Sequence, residues 1–227
     1  MENFFFNKPQ IVVFDLDGTL YEQAKLRKIM LFKLLGYYML RPWKFSDILI
    51  LYHFRKEREQ RAGVQGADLN EAQYRWCSDK TGKDLSTVKK VVDKWIFNYP
   101  NVYLKECIYP GVIQFLAELK ERDIITAVYS DYDAVKKLEY MQLAVDIVVS
   151  STDFNINSFK PSPKGLNYIL STMEITDKSK SLFIGDRDEL DGKCAENAGV
   201  PFILVDKQSA REDFYLRLLS NLQNIKN

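Results

Sequence analysis

Residues 11–20 read IVVFDLDGTL, an apolar, β-branched run that ends in two aspartates and a glycine. Such a run predicts a buried β-strand, and the acids that end it predict a binding function there. Residues two apart in an extended backbone point to the same side, so Asp15 and Asp17 would face one small volume if the extension continues. Two like charges are tolerated there if a cation lies between them or if one carboxylate holds a proton. The alternative is a strand end at which Asp17 and Gly18 form an ordinary turn.

Four further short runs, rich in β-branched and aromatic residues, predict strands in the second half of the chain. They cover residues 124–129, 145–149, 181–185 and 201–205. Apolar residues at helical spacing lie around and between them, at residues 111–122, 134–143, 164–173 and 190–198. Gly199 is the predicted terminator of the last of these helices. This alternation predicts an α/β fold with a doubly wound, parallel, Rossmann-like sheet.

The stretch from residue 21 to residue 104 breaks the alternation, because it contains helical patterns and no comparable strand run. We therefore predict a helical cap over residues 21–104, inserted into an α/β catalytic core formed by residues 1–20 and 105–227. Within the cap, residues 58–66 predict a turn, and helical spacing resumes at residues 68–78 and 85–99. Near the C-terminus, residues 209–222 predict a single amphipathic helix. For the three phenylalanines at positions 4–6, packing against the sheet or the cap is the only role that the sequence indicates.

Composition excludes several classes of protein. The 227 residues carry 32 Lys and Arg against 31 Asp and Glu, a net charge of +1 that predicts no nucleic-acid partner. The three cysteines are far apart in the sequence, which predicts neither a disulfide framework nor a zinc site and indicates a reducing, cytoplasmic location. No segment predicts a signal peptide or a transmembrane span. A single histidine, His53, excludes a metal site built on several histidines and leaves a Ser-His-Asp mechanism without support.

Each predicted strand delivers polar residues to one edge of the sheet. Ligands of open α/β sheets bind outside the carboxyl ends of the strands. In chain order the residues at these ends are Asp15 and Asp17, Ser130 and Asp131, Lys160, Asp186 with Asp191, and Asp206. Such an edge can supply carboxylates for a divalent cation, a hydroxyl and a lysine for an anion, and a carboxylate nucleophile.

These residues fall in four motifs that resemble one family. The motifs are DLDGTL at residues 15–20, VYSD at 128–131, KPSP at 160–163 and GDRDELD at 185–191. Because it contains these four motifs in this order, the chain resembles the haloacid dehalogenase-like hydrolase superfamily. The helical insertion after the first motif is similar to the cap of the phosphoglycolate-phosphatase-like branch. The resemblance implies a Mg²⁺-dependent hydrolase.

The resemblance also implies a role for three of the acids. Asp15 would be the nucleophile, forming an aspartyl-phosphate, and would also bind Mg²⁺. Asp186 would be the second metal carboxylate, and the backbone carbonyl of Asp17 a third ligand. The side chain of Asp17 would act as general acid and then as general base. Because that role starts from a protonated carboxyl, we expect neighbouring acids to raise the pKa of Asp17.

In such an enzyme, three further residues would bind the substrate phosphate and a fourth would position one of them or a metal-bound water. Ser130 would hydrogen-bond a phosphoryl oxygen, and Asp131 belongs to the same phosphate-binding segment. Lys160 would bind the phosphate and neutralise charge on it and on Asp15. Asp191 would hold Lys160 or a metal-bound water.

The resulting functional prediction is a Mg²⁺-dependent phosphatase that hydrolyses a small phosphate monoester through an aspartyl-phosphate. Dehalogenases of the superfamily lack the second acid of the first motif, so the presence of Asp17 favours phosphoryl transfer over carbon–halogen cleavage. A phosphomutase acting on a sugar phosphate is one alternative. The other is a non-catalytic interaction protein that retains the fold.

The segment from residue 30 to residue 61 is locally basic and rich in aromatic residues. It is compatible with a cavity for an anionic or aromatic phosphate ester. Contact with a membrane surface or a protein partner is a second hypothesis. A packed helical bundle with a solvated basic face is a third.

Overall fold

A central parallel sheet organises the chain in the computed structural model, which describes residues 9–66 and 68–224. The phenylalanines at positions 4–6 lie outside the described residues. The five strands are β1 (Ile11–Phe14), β2 (Ile125–Ser130), β3 (Ile147–Ser150), β4 (Ser181–Gly185) and β5 (Phe202–Leu204). All neighbouring strands are parallel, in the order β3-β2-β1-β4-β5. This confirms the predicted doubly wound α/β fold.

Strand β1 lies at the centre of the sheet, and its four residues are all buried. Phe14, its last residue, is in register with Val128 of β2 and Ile184 of β4. After β3 the chain crosses back to the other side of β1 to form β4. The carboxyl ends of β1 and β4 therefore flank the point at which the strand order reverses, where open sheets of this kind bind ligands.

Helices cover both faces of the sheet because side chains alternate along each strand. Val12 and Phe14 belong to a buried cluster that includes residues of α5 (Val112–Glu121) and α10 (Phe214–Asn224). Ile11 and Val13 belong to a second cluster with α7 (Lys164–Thr172) and α8 (Lys193–Ala198). Helix α6 (Val135–Met141) connects β2 to β3, and α9 (Lys207–Glu212) follows β5. Gly199 ends α8 with φ 70°, as its position predicts.

Of the α-helices between β1 and β2, four lie in the predicted cap. They are α1 (Gln23–Met39), α2 (Ser46–Glu59), α3 (Leu69–Thr81) and α4 (Leu85–Val92). A short 3₁₀ turn, Pro42–Lys44, joins α1 to α2. The boundaries at residues 21 and 104 stay a prediction.

The chain leaves and re-enters the sheet region at one place. Tyr21 and Ile108 form an isolated antiparallel bridge. Beside it, the N–H of Glu22 donates to the Cys107 carbonyl at 2.8 Å, and the N–H of Tyr109 donates to the Leu20 carbonyl at 3.2 Å. Two backbone segments thus run side by side where α1–α4 join the rest of the molecule.

The structure corrects one predicted helix in the cap, one turn in the cap and one predicted helix in the core. Residues 85–99 form α4, then a π-helical turn (Asp93–Asn98), which runs into a 3₁₀ turn (Tyr99–Tyr103). Pro100, which has no N–H to donate, lies where the regular helix would otherwise continue. Helix α2 runs to Glu59, so the predicted turn begins two residues later than expected. The helix predicted from residue 190 begins with a π-helical turn, Asp188–Gly192, ahead of α8.

The prediction of a single C-terminal helix over residues 209–222 is wrong. The structure has two helices, α9 and α10, separated at Asp213, whose φ of −150° is not helical. The Asp213 carbonyl accepts the N–H of Arg217 at 2.8 Å, so Asp213 is the capping residue that immediately precedes α10. Aspartate is a preferred residue at such a position.

The three cysteines, Cys77, Cys107 and Cys194, are buried and free. Among the helices that the structure describes, none combines the length and the apolar character needed to cross a bilayer.

Candidate active site

Asp15 lies directly after β1 and is almost fully buried. Its backbone N–H donates to the Ile184 carbonyl of β4 at 2.8 Å, which fixes it between the two strand ends. The Thr19 hydroxyl donates to Asp15 Oδ2 at 3.0 Å. Thr19 is held in turn by the Tyr215 hydroxyl, which donates to its carbonyl at 2.7 Å. The DLDGT turn therefore presents one carboxylate oxygen of Asp15 to a neighbouring lysine.

That lysine is Lys160, whose side chain is 1% exposed. Its Nζ donates to Asp15 Oδ1 and to Asp191 Oδ1, each at 2.7 Å. Burial lowers the pKa of Lys160, but Asp15 and Asp191 raise it by more, so the pKa lies well above its ordinary value. A permanently charged ammonium thus lies between two carboxylates.

The two carboxylates that share this ammonium hold protons more strongly than free aspartates. Burial raises the pKa of Asp15 to about 7, against the lowering effect of Lys160. Burial also raises the pKa of Asp191, and Lys160 opposes it. One ammonium is therefore insufficient compensation for the negative charge gathered here.

The acids around Asp15 fit a divalent cation. One carboxylate oxygen from each of Asp15, Asp186 and Asp191 lies within 4.8 Å of the others. Oδ1 of Asp186 is buried and has no hydrogen-bond partner, whereas Oδ2 lies 3.1 Å from Nζ of Lys207. A buried carboxylate oxygen without a partner is costly, and a metal ion would satisfy it. Oxygen ligands of this kind suit Mg²⁺ or Ca²⁺.

Gly18 makes room for this acidic cluster. Its φ is 98°, and a Cβ atom built on it would lie 2.4 Å from Oδ2 of Asp186. A side chain at position 18 would therefore be strained and would displace Asp186.

The contacts and the pKa of the Asp17 carboxyl differ from those expected from the sequence. Nζ of Lys137 donates to both of its carboxylate oxygens at 2.6 Å, and the Tyr21 hydroxyl donates to Oδ1. Burial would raise the pKa of Asp17, but Lys137 and Tyr21 outweigh it, and the pKa is lowered. The expected rise from crowding by acids is wrong because a lysine and a hydroxyl, rather than the other carboxylates, contact Asp17.

Ser130 and Asp131 close the end of β2. The buried Ser130 hydroxyl accepts the N–H of Tyr132 at 3.2 Å. Oδ1 of Asp131 accepts the Ser151 hydroxyl at 2.6 Å and the N–H of Lys160 at 3.2 Å. The Asp131 carboxylate thus fixes the backbone that carries Lys160.

A cavity of about 630 Å³ lies above these groups. Its floor includes Asp15, Asp17, Lys137, Lys160 and Asp186. The side formed by the predicted cap has an apolar wall, lined by Leu26, Met30, Leu31, Leu34, Leu51, Trp95, Ile96, Pro100 and Leu104. The same side also carries polar and charged residues, which are Gln23, Arg27, Arg55, Arg58, Glu59 and Asn101. A charged floor and a partly apolar cap side suit a ligand with a polar head and an apolar remainder.

Arg58 of α2 links the cap helices to the end of β2. Its Nη2 donates to the Asp131 carbonyl at 2.6 Å, and its Nη1 donates to Gln73 of α3. The guanidinium carbon lies 4.0 Å from the centre of the Tyr132 ring and 4.5 Å from that of Phe159. Stacking and a hydrogen bond to a carbonyl are suited to arginine and would not be reproduced by lysine.

The sequence analysis missed Lys137 and Arg58. A helical signal was available for Lys137, since Leu138 and Met141 of α6 and Ala134, directly before that helix, are buried, and Lys137 lies three residues after Ala134. No comparable signal existed for Arg58, which lies among several other basic residues of the same segment. The acids, the serine and the lysine that the motifs predicted do lie together at the carboxyl edge of the sheet.

Comparisons with known proteins agree with this architecture. Residues 12–205 match the family model for haloacid dehalogenase-like hydrolase. Comparison with curated proteins finds no match. Among solved structures, the chain is similar to YfnB from Bacillus subtilis in a magnesium-bound crystal form, with a TM-score of 0.62 and 15% identity over 95% of this chain and 99% of that one.

Two further solved structures are similar to this chain in fold. A 2-haloacid dehalogenase from Pseudomonas syringae has a TM-score of 0.61 and 18% identity over 88% of this chain and 87% of its own. CbbY from Rhodobacter sphaeroides, in complex with phosphate, has a TM-score of 0.54 and 15% identity over 86% of this chain and 85% of its own. At these identities the likeness supports the fold alone.

Proposed function

Because the chain belongs to the haloacid dehalogenase-like hydrolases, we propose that it is a Mg²⁺-dependent phosphatase that hydrolyses a phosphate monoester through an aspartyl-phosphate. The observation that carries the proposal is the unpartnered, buried Oδ1 of Asp186 beside the Asp15–Lys160 pair. A cation at this position and the neighbouring ammonium would together compensate the negative charge of a phosphate group.

Asp15 and Asp186 are the carboxylates that would hold the ion, with the backbone carbonyl of Asp17 as a third ligand. Asp191 is already engaged, since its two oxygens accept Nζ of Lys160 at 2.7 Å and the N–H of Arg187 at 3.1 Å. Its proposed role is therefore to orient Lys160. When bound, Mg²⁺ would neutralise charge on these carboxylates and on a phosphoryl oxygen.

Asp15 is the proposed nucleophile. Its carboxylate oxygen forms a bond to phosphorus while the bond from phosphorus to the ester oxygen breaks, which leaves an aspartyl-phosphate and an alkoxide. Lys160, already within hydrogen-bond distance of Asp15, stabilises the negative charge that spreads over the phosphoryl oxygens. Ser130 is proposed to donate its hydroxyl to one of those oxygens.

The Asp17–Lys137 pair is the proposed proton carrier. The leaving alkoxide takes a proton from the pair in the first half of the reaction. In the second half a water molecule attacks the aspartyl-phosphate and returns a proton to the pair, releasing phosphate and restoring Asp15. Both side chains line the cavity and are hydrogen-bonded to each other, so one proton can serve both halves.

Two solved structures of the same fold contain the metal ion or the anion that this proposal requires. The YfnB crystal form contains magnesium, and CbbY was crystallised with phosphate. The dehalogenase neighbour defines the rival reaction, displacement of a halide from a 2-haloacid.

The decisive experiment measures phosphate release from a panel of phosphate monoesters, with Mg²⁺, with a chelator, and with the variant Asp15→Asn. We expect release that depends on Mg²⁺ and is lost in the variant. Asp123→Asn is the matched control, because Asp123 is exposed just before β2, at the opposite edge of the sheet. Its φ of 56° is one that asparagine also adopts.

Other outcomes separate the alternatives. Undiminished release in Asp15→Asn would contradict the nucleophile assignment. An isomerised sugar phosphate without free phosphate would indicate a phosphomutase. Halide release from a 2-haloacid, with no phosphate release from any ester, would indicate a dehalogenase, and no turnover of any compound would favour an interaction protein.

A further inference from the structure

The outer surface of α1 and α2 carries an unusual concentration of exposed apolar side chains. Of 17 large apolar side chains that are exposed in the described part of the chain, ten lie between residues 31 and 52. They are Leu31, Phe32, Leu35, Met39, Leu40, Trp43, Phe45, Ile48, Leu49 and Tyr52, and we call them the outer cap face. Large exposed apolar patches on globular proteins mark sites of interaction with other proteins, membranes or ligands.

Exposure is greatest at the turn between the two helices. The side chains of Met39, Leu40 and Trp43 are 76%, 75% and 74% exposed. Along α1, residues 31, 35 and 39 follow helical spacing, and residues 48, 49 and 52 of α2 do the same together with residue 45, which directly precedes that helix. Each helix thus carries an exposed apolar stripe, and the turn with Trp43 lies between them.

Helix α1 is apolar on its inner side as well. Leu26 and Met30 are buried and line the cavity, while Phe32 and Leu35 are exposed. From Met30 to Met39, α1 has a single charged residue, Lys33, and apolar side chains on most sides, and a helix of this kind is normally covered. Leu31 belongs both to the cavity lining and to the outer cap face, so the two apolar surfaces are continuous.

The same segment is strongly basic. Between residues 23 and 52 there are six basic residues and one acidic residue, Asp47. The basic residues are Lys25, Arg27, Lys28, Lys33, Arg41 and Lys44. The Arg41 guanidinium carbon lies 4.5 Å from the centre of the Tyr37 ring and stays partly exposed. Long basic side chains can place their charged ends above an apolar surface while their stems cover part of it.

We propose that the outer cap face docks on the surface of an anionic lipid bilayer. Exposed tryptophan, leucine and methionine side chains insert among lipid headgroups, and the basic residues around them attract anionic lipids. A second copy of this chain is a poor occupant, because a two-fold interface through this face would place the basic residues of both copies near one another. The combination of apolar surface and net positive charge therefore selects an anionic, apolar partner.

Co-sedimentation of the full-length protein with lipid vesicles tests the proposal. We expect binding to vesicles of phosphatidylcholine mixed with phosphatidylglycerol, weak binding to pure phosphatidylcholine, and weakening at high salt. The variant Met39→Ser/Trp43→Ser should lose about tenfold or more in affinity. The matched control is Phe154→Ser, because Phe154 is 89% exposed and far from the face in sequence.

A charge variant tests the electrostatic part. Arg41→Glu/Lys44→Glu should also reduce binding about tenfold or more, because each basic residue near an anionic bilayer contributes measurably. The control Lys120→Glu/Lys180→Glu makes the same change at two exposed lysines outside the cap and should bind like the unmodified protein. Circular dichroism and thermal unfolding of every variant establish that the fold is kept.

Several results would overturn the proposal. One is the absence of binding to anionic vesicles, and another is equal binding by the serine variant and its Phe154 control. A dimer in light scattering that the serine substitutions dissociate would identify a second copy as the occupant. Binding does not depend on turnover, so the variant Asp15→Asn should bind vesicles normally even if the proposed phosphatase activity were disproved.

Discussion

Lys137 changes the chemistry that the first motif predicts. Acids alone would have raised the pKa of Asp17, yet a lysine from α6 contacts both of its carboxylate oxygens and the pKa is lowered. The lysine is itself mostly buried, so its charge is compensated largely by this one partner and not by water. Two residues far apart in sequence therefore form one ionic unit at the cavity floor.

Removal of this lysine should destabilise the protein through Asp17. In Lys137→Met the buried carboxylate loses its cation, and we expect the free energy of unfolding to fall by about 2 kcal/mol or more. Urea unfolding measures the change. Lys136→Met is the matched control, because Lys136 is the exposed neighbour on the same helix.

The double variant Asp17→Asn/Lys137→Met separates charge from packing. It removes both charges, so it should recover part of the stability lost in Lys137→Met alone. A double variant that is as unstable as the sum of both single variants would show that the pair is not coupled.

Among the secondary-structure elements, the strands could be predicted because burial on both faces of the sheet requires apolar residues at nearly every position of a strand. Each strand of this parallel sheet is a short, nearly continuous apolar run, and β4 matches its predicted range, residues 181–185. Deviations within helices leave no such pattern. The break at Asp213 depends on the backbone angles of one residue, and the π-helical turn Asp93–Asn98 keeps the apolar spacing of the helix before it.

The residues of the site divide in the same way, because those at strand ends could be predicted and those on helices could not. Asp15, Asp186 and Lys160 lie at strand ends or in loops that topology brings to one edge, so their proximity could be predicted once the strand order was assumed. Lys137 reaches the site from the first turn of α6, and only the phase of that helix decides where its side chain lies. Arg58 depends on how α2 packs against the end of β2, which no local pattern encodes.

Two glycines in different elements should respond in opposite directions to alanine. Gly111 precedes α5 with φ 83°, and a Cβ there would lie 2.9 Å from the backbone nitrogen of Leu216 in α10. Gly111→Ala should therefore lower the free energy of unfolding by about 2 kcal/mol. Gly36 lies within α1 and a Cβ would meet nothing within 4 Å.

The second substitution, Gly36→Ala, should raise the free energy of unfolding by about 1 kcal/mol, since alanine favours a helix interior. Thermal or urea unfolding of the two variants measures both changes. Destabilisation by Gly36→Ala would mean that α1 is not a regular helix in solution, and a neutral Gly111→Ala would mean that α10 does not pack closely on this turn.

For the whole molecule, the apolar wall of the cavity predicts a preference among esters. If the chain hydrolyses phosphate monoesters, kcat/KM should rise along a series from ethyl to hexyl phosphate by about two- to fourfold per methylene, as expected for burial of about 0.8 kcal/mol each. Initial rates of phosphate release give the series. A series with no increase would show that the alkyl chain does not contact the wall.

Met30 and Met39 provide a matched pair for that series. Met30 is buried and lines the cavity, whereas Met39 is exposed on the same helix. Met30→Ser should lower kcat/KM for hexyl phosphate while leaving ethyl phosphate nearly unchanged. Met39→Ser should leave both rates unchanged, because a dissolved alkyl phosphate does not need the outer cap face.

The paired backbone segments at Tyr21 and Ile108 hold the start and the end of the stretch that contains α1–α4 side by side. The segment after α2 is also bonded to the sheet edge, because the N–H of Gly63 donates to the Lys160 carbonyl at 3.0 Å. An insert of different sequence between the two paired segments would remove this bond and leave the backbone of Lys160 with one contact fewer. For protein engineering, the segment around Gly63 should therefore be retained when the rest of the stretch is exchanged to redirect the chemistry toward new compounds.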